Sequence, residues 1–585
     1  MLPFANMSAD EHNEFFCDGI TEEIINALAQ IEQLKVTSRT SSFFFKNSNV
    51  TLGEIAGQLD VATILEGSVR VGGNTLRITA QLINVEDDSH FWSETWDRPK
   101  DNIFQVQDEI SLHIAEKLRE TYGHLDISDH LVQAPTENFS AYSHYLKGRH
   151  HFYKWNPADA NLAIEQFEKA VAIDPKLIDG QLGLADSYSF LAVSGFAPRE
   201  ESWQKANDAI SAAKKIDRNN AGLNYLLGNQ AFFTAADFKS AMDFGQKSVA
   251  SKPTYPEAHR FLSFLYSLMG DLDKSREHIL YAKSIDPLNH ETRFFEANYL
   301  YRSGDFNGAK DILDSLLIEN SQNLPALAVS SYILLKQERY VEAHALIKEI
   351  PEALIAPDER LGLLCLTDVL QGNPDPEHLS TLEKKIEDPL AHHAHSYLYI
   401  IYANMGRHDD AFLILENLFN HCSSVLLLGF SDPLAVAIRS DHRFDNYHGQ
   451  IYAIDEKVVK PKKSMATQLE EDRAKIFESK LLDYIQMEQS FLNPTLSLRQ
   501  LAQLIEIHPN QLSWLLNEYM GKNFNEFING FRIEHFKKLV TDPSNNHISL
   551  IGLAYESGFN SKTVFNTTFK KTVGMTPKEF QKANS

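Results

Sequence analysis

A short signature recurs through the middle of the chain, at Ile173-Asp174-Pro175, Ile216-Asp217-Arg218, Ser251-Lys252-Pro253 and Ile285-Asp286-Pro287, with the later copies about 34 residues apart,. A period of that length is one pair of helices. A unit so small cannot bury its apolar face alone, so each copy must stack on its neighbours, and the region from Phe139 to Gln450 is constrained to a helical solenoid,. Small residues are expected where paired helices approach closely: Gly228 and Ala241, Gly270 and Ala282, Gly304 and Ala309. The first copy opens with Tyr145 to Gly148, and its second helix, Ala163 to Ala170, is broken by Asp174-Pro175. An insertion near Phe196 to Glu200 lengthens one spacing. The late stretches Ala403 to Phe412, Asp432-Pro433 and Arg439 to Phe444 read as a cap on the array.

This pattern resembles a tetratricopeptide array. The resemblance implies a superhelix with a concave surface that takes a protein or peptide partner, a rigid spacer being the alternative left open.

The last hundred residues carry a different pattern, two helix-turn-helix units in tandem. In the first, Leu498 to Ile505 and Asn510 to Asn517 flank a turn at Glu506 to Pro509 and close at Gly521. Leu498, Leu501, Ala502 and Ile505 are spaced to face Leu512, Leu515 and Leu516,. The second runs from Ile548 to Ser557, turns at Gly558-Phe559, and continues from Ser561 to Lys570. Gly558 suits a positive φ, Asn560 or Ser561 can cap the new helix, and Phe559, Phe565 and Phe569 point inward,. An amphipathic stretch, Phe524 to Val540, joins the two.

Gly558-Phe559, Phe565, Phe569-Lys570, Gly574, Thr576-Pro577 and Phe580, with Arg532-Ile533 in the connecting helix, resemble the DNA-binding domain of AraC-family transcription regulators over about Leu482 to Lys582,. The resemblance implies that each unit lays its second helix in the major groove of double-stranded promoter or operator DNA. It marks Asn510, Ser513 and Trp514 in the first unit, and Lys562, Thr563, Asn566 and Thr567 in the second, as the outward candidates for base edges,. Lys537, Lys538, Lys570 and Lys571 are candidates for phosphate,. Two positions depart from the commoner pattern: Thr567 stands where Arg is frequent, and Trp514 is bulky for a groove-facing site.

The first 118 residues form another module. Asp18 to Leu28 reads as an amphipathic helix capped by Asp18 or Thr21, and Leu52 to Leu59 as a second,. Ala62 to Val71 and Thr75 to Asn84 alternate as strands around a Gly72-Gly73-Asn74 turn. Phe91 to Trp96 is a third strand, and Ile103 to Leu112 returns to helix,. Leu2-Pro3-Phe4, Asp18 to Glu22, Leu65 to Val69, Arg77 to Leu82 and Phe104 to Asp108 resemble the TolB amino-terminal-like domain found ahead of tetratricopeptide arrays in bacterial signalling proteins. In that resemblance Leu2-Pro3-Phe4 is the tail of a first strand, so the chain is expected to begin a few residues late.

Charge divides along the chain. The formal net charge is −24, yet from Glu470 onward 13 basic residues balance 13 acidic ones, so the whole excess lies in the first 469 residues. A near-neutral DNA reader joined to an acidic body is expected to hold nonspecific DNA weakly. Three scattered cysteines, Cys17, Cys365 and Cys422, make no disulfide framework,. No apolar run is long enough to span a bilayer and no basic leader precedes an apolar core, so a cytoplasmic protein without a membrane partner is expected. His392, His393 and His395 lack a matching carboxylate or thiol set and read as a helix surface. Gly72-Gly73 lacks the Lys-Ser/Thr of a phosphate loop, and Glu86-Asp87-Asp88 reads as a solvated turn,. These patterns point to no metal, no cofactor and no enzyme.

The expectation is a multidomain, mainly α chain: an N-terminal α/β domain over 1–118, an α-helical tetratricopeptide solenoid over 139–450, a basic linker over 451–475 that includes Lys457 to Lys463, and an all-α double helix-turn-helix over 482–585. Its function is expected to be sequence-specific transcription regulation, with the array and first module sensing a signal or binding a partner, and with a homodimer as one assembly. An interaction scaffold whose DNA module has lost readout is the alternative, which Thr567 leaves open.

Overall fold

The computed structural model describes all residues except 9–13, 100–102, 133–134, 153–156, 194–196, 353, 388–391, 421–423, 455–468 and 585. Most of the expected linker, with Lys457 to Lys463, lies outside the described residues, as do Phe196 and Cys422. The chain divides into two compact units: Met1–Ile25 with Val36–Asp97 and Ala134–Pro461, and Asn26–Lys35 with Arg98–Gln133 and Lys462–Ser585. The segment Arg98–Gln133 thus groups with the C-terminal region, although 1–118 is a single module by sequence.

In the first unit a four-stranded sheet has the order β1 (Ala5–Asn6), β2 (Thr63–Gly72), β3 (Thr75–Asn84), β4 (Ser89–Pro99). β2 and β3 pair antiparallel from Thr63 opposite Asn84 to Gly72 opposite Thr75, and Gly73 takes φ +62° in the turn,. Leu76, Ile78, Ala80 and Leu82 are buried while Arg77, between them, pairs with the Asp97 carboxylate on β4 at 2.8 Å. That is the period of two expected of a sheet with one wet face.

Helix α1 (Glu14–Leu28) begins a full turn before the expected caps. Asp18 and Thr21 therefore lie inside it. The Thr21 hydroxyl donates to the Cys17 carbonyl at 2.9 Å and accepts the Phe4 N–H at 3.0 Å, while Asp18 pairs with Lys46. Buried partners outweighed the capping preference of these residue types. Helix α2 (Arg39–Phe43) is capped by Ser38, and α3 (Leu52–Leu59) by a reciprocal Thr51–Glu54 capping box,.

The array pairs helices Phe139–Phe152 with Pro157–Ile173, Ile178–Val193 with Arg199–Ile216, Ala221–Ala235 with Phe238–Ser251, Pro256–Met269 with Leu272–Ile285, and His290–Ser303 with Phe306–Glu319. Three further pairs follow, from Leu324 to Asn420. The small residues divide by role. A Cβ on Gly228 would lie 2.8 Å from the Phe261 ring, so that glycine does serve close packing, and Ala241, Ala282 and Ala309 are fully buried. Gly270 and Gly304 differ from expectation: they have φ +88° and +90° with open space where a Cβ would be. They end their helices in the left-handed region, and Asp271 and Asp305 cap the helices that follow,.

Polar contacts at the first array helix and at the fourth repeat break are among those that join the small module to the array within this unit. Glu22 on α1 pairs with Arg39 at 3.1 Å and with Arg149 of the first array helix at 2.8 Å. Asp286, in the fourth repeat break, accepts hydrogen bonds from the Ser38 and Ser41 hydroxyls. The Ser38 N–H donates to Ile285 O and the Leu288 N–H to Ser41 Oγ.

The stretch expected to cap the array instead runs back across earlier repeats. Tyr301 donates to Asp432 at 2.7 Å, Lys336 to the Pro433 carbonyl at 3.2 Å, His448 Nε2 lies 3.1 Å from the Met269 carbonyl, and the Phe238 and Tyr452 rings meet at 4.7 Å. The segment from Ser424 to Tyr452 therefore covers helices from four repeats. His395, expected on a helix surface, is buried, and His393 is 3.9 Å from Glu359. Among the described residues no group of three or more His, Cys, Asp or Glu could hold a metal ion, and no helix is long and apolar enough to cross a membrane.

Candidate nucleic-acid interface

The second unit contains α4 (Ile103–Tyr122) and the C-terminal helices α5 (Glu471–Glu488), α6 (Leu498–Leu504), α7 (Pro509–Trp514), α8 (Phe524–Thr541), α9 (Leu550–Glu556), α10 (Lys562–Val573) and α11 (Pro577–Asn584). α5 starts inside the stretch expected to be linker. Its Ala474, Leu481 and Ile485 are buried in the same core as Leu498, Leu501, Ala502, Leu512 and Leu515. A second core gathers Ile533, Phe536, Leu553, Phe559, Phe565 and Phe569. α8 contributes Phe524, Phe527 and Ile528 to the first core and Ile533 and Phe536 to the second, so one continuous helix sets the spacing of the two helix-turn-helix units.

Caps follow the chemistry of each turn. Ser497 with Gln500 and Asn523 with Glu526 form capping boxes, and Ser549 and Ser561 cap α9 and α10,. Gly558 has φ +90°, and a Cβ there would lie 2.4 Å from the Phe491 carbonyl oxygen, so both backbone and space demand glycine. Arg532 donates to the Phe491 and Asn493 carbonyls at 2.8 Å each and stands 5.8 Å over the Phe559 ring, tying the turn of the second unit to the first. Burial lowers its guanidinium to about 10.

α10 presents one open face. Phe565 and Phe569 point into the core, while Lys562, Thr563, Asn566 and Thr567 are exposed on the other side. Lys570 on the same helix and Lys538 on α8 are exposed without an ion pair among the described residues; Lys537 pairs with Glu534 at 2.6 Å and Lys571 with Glu526 at 3.2 Å. Such exposed pairs contribute about 0–1 kcal/mol, so either lysine can be drawn to a phosphate.

The corresponding face of α7 is closed. Asn510 and Trp514 are half-buried, and Ser513 is fully buried, its hydroxyl without a hydrogen-bond partner. Ser513 thus departs from the expected outward position. What covers it comes from far away in sequence. Arg119 Nη1 donates to Asn510 Oδ1 at 2.6 Å, the Ile127 N–H donates to the same oxygen at 3.3 Å, and Asn510 Nδ2 donates to the Ile127 carbonyl at 3.2 Å. A Cβ on Gly123 would sit 3.5 Å from Asn517 Oδ1, one turn further along the same face. Trp514 packs against the first core.

The contact extends to neighbouring elements. Glu120 accepts the Leu498 N–H at 2.8 Å, Glu116 pairs with Arg499 at 3.0 Å and with Arg119, and Asn523 donates to the Thr121 carbonyl at 3.1 Å. Arg119 is fully buried and its Nε has no partner among the described residues. Burial lowers the Arg119 guanidinium and the neighbouring His124 imidazole from their ordinary values. Unsatisfied buried donors cost about 1–3 kcal/mol each, so this contact is well populated with polar bonds yet not fully satisfied. Arg499 and the Arg119–Asn510 pair are residues that helical periodicity does not reveal.

Comparison with known proteins bears on this region. The family model described as a helix-turn-helix domain matches residues 501–583. The melibiose operon regulatory protein of Escherichia coli is 26% identical over 109 residues, covering 19% of this chain and 34% of the relative. The uncharacterized transcriptional regulatory protein YesN of Bacillus subtilis is 32% identical over 92 residues, covering 15% and 24%. A Rhizobium meliloti protein named "Putative adenylate cyclase 3" is 28% identical over 277 residues, covering 47% and 41%. The chain thus spans less than half the length of each of these relatives. The last likeness is longer than the whole C-terminal region, so it reaches into the sheet module or the array. Residues 501–583 match the helix-turn-helix domain model and are similar to the regulators named above, and they follow a small sheet module and a long array of helix pairs in the chain.

Proposed function

We propose that this chain is a transcription regulator that binds a specific site on double-stranded DNA through its tandem helix-turn-helix units, with the array and the sheet module receiving a protein, peptide or other signal. The observation that carries the reading is the open face of α10, where Lys562, Thr563, Asn566 and Thr567 stand together with the unpaired Lys570 of the same helix. Lys reaches the acceptors of guanine, Asn pairs with adenine through two bonds, and Thr contacts a base through its hydroxyl or methyl. The lysines at the margin supply phosphate contacts that set register without reading sequence.

Capture of genomic DNA by the intact chain, compared with a Lys562→Ala, Asn566→Ala variant, tests the reading. Recovery of a shared sequence motif that the variant loses supports it; recovery of no motif, or of the same motif by both proteins, sinks it in favour of a scaffold. Light scattering with and without the recovered duplex reads out whether the regulator acts as a dimer.

A further inference from the structure

We propose that residues 116–127, the end of α4 and the turn after it, compete with DNA for the first helix-turn-helix unit, so that the structure described here is a closed state in which only the second unit can read. The inference rests on the DNA-binding role proposed above and adds how that role is controlled.

Three observations carry it. The equivalent faces of the two second helices differ: Lys562, Thr563, Asn566 and Thr567 are exposed on α10, whereas none of Asn510, Ser513, Trp514 and Asn517 on α7 and its continuation is. The groups that fill the α7 face are polar and specific. Asn510, whose side-chain amide has the donor and acceptor needed for an adenine edge, has both engaged, the oxygen by Arg119 and Ile127 and the nitrogen by the Ile127 carbonyl,. Finally, α4 answers the basic side of the unit with acid: Glu116 holds Arg499, and Glu120 accepts the Leu498 N–H. A carboxylate placed on a guanidinium offers what a phosphate offers, so DNA and α4 ask for the same groups and exclude each other.

The contact is built to release. Arg119 Nε is buried without a partner among the described residues, so undocking restores solvent to it. α4 lies between β4 and the first array helix in the chain, in covalent tether to the helix-turn-helix units, which places it at high local concentration,. A competitor docked most of the time lowers apparent DNA affinity by the fraction of molecules left open.

The test uses the full chain and a pool of random duplexes, from which bound sites are selected in rounds. Glu116→Gln with Glu120→Gln weakens docking without touching a DNA-facing group, and should tighten binding to the selected duplexes by about tenfold if roughly nine-tenths of the molecules are closed. Hydrogen exchange supplies an independent reading: adding duplex to the unaltered chain should speed exchange over 116–127 and keep 509–519 protected. A third protein, with Thr121→Cys and Asn525→Cys in a background whose native cysteines are replaced by alanine, closes the contact with a short bismaleimide and should lose the selectivity of the first unit. Equal affinity for all three proteins, or unchanged exchange over 116–127, overturns the competition while leaving DNA binding intact. Failure of every protein to select any duplex overturns both the competition and the function on which it rests.

Discussion

At the scale of single residues, glycines separate two kinds of demand. Gly558 combines a positive φ with a backbone carbonyl 2.4 Å from where a Cβ would be, whereas Gly270 has the positive φ alone. Gly270→Ala should therefore cost about 1 kcal/mol, the conformational penalty by itself. Gly558→Ala should cost upwards of about 3 kcal/mol, since neither a carbonyl nor the neighbouring Leu492 Cα can move cheaply. Thermal unfolding of the full chain, read as separate transitions for the two regions, checks the ordering, and equal shifts would contradict it. The same contrast shows what sequence can reveal. Both residues announce turns, but that Gly558 also admits the loop after α5 depends on Phe491, far away in the chain. Thr21 and Asp18 teach the converse: their types suggest caps, and burial against Phe4, Cys17 and Lys46 decided otherwise.

Among elements, α10 was legible in sequence and α7 was not. Phe565 and Phe569 face the core as their sequence suggests, and Lys562, Thr563, Asn566 and Thr567, which the family resemblance marks as outward, are exposed on the other side. The same resemblance marks Asn510 and Ser513 of α7 as outward, yet Ser513 is buried and Asn510 is engaged by Arg119, 391 positions earlier in the chain. The repeat helices were legible for the reason that each packs on its neighbours. The return of Ser424 to Tyr452 across four repeats was not, because no local pattern specifies a contact between Tyr301 and Asp432.

One pair of repeat helices also carries a pH dependence. His259 Nδ1 lies 2.9 Å from His278 Nδ1 and His259 Nε2 lies 2.8 Å from the Pro253 carbonyl. Burial, and for His259 also the charge of His278, lowers both imidazoles to about 4; the Lys274 ammonium adds to the effect on His278. Both native values lie below the unfolded value of 6.5, so the unfolded chain takes up protons first,. The array should hold its full stability above pH 6.5 and lose it progressively toward pH 4, by on the order of 2–4 kcal/mol for the coupled pair,. Denaturant unfolding at several pH values reads this out. His278→Gln should flatten the profile, and a profile unchanged by that substitution would assign the acid lability elsewhere.

For the whole molecule, the separation of charge bears on the proposed encounter with DNA. With 13 basic and 13 acidic residues from Glu470 onward, the reader has no broad positive field, and the remaining −24 lies in the body. If the proposed contacts with phosphate are made by Lys537, Lys538, Lys562, Lys570, Lys571 and Arg499, the logarithm of affinity should fall against the logarithm of salt with a slope no steeper than about −5. Titration of a selected duplex across salt concentrations checks this, and a markedly steeper slope would bring cations of the body into the contact. The body has a mechanical character of its own. Glu22 grips Arg149 in the first repeat helix while Ser38 and Ser41 grip Asp286 at the fourth break, so one small module fastens two points of the array that the chain itself separates by more than a hundred residues. A stack of helix pairs left to itself flexes like a spring; pinned at two points, those four repeats are braced, and any ligand that stretches or tightens them must first work against the clasp.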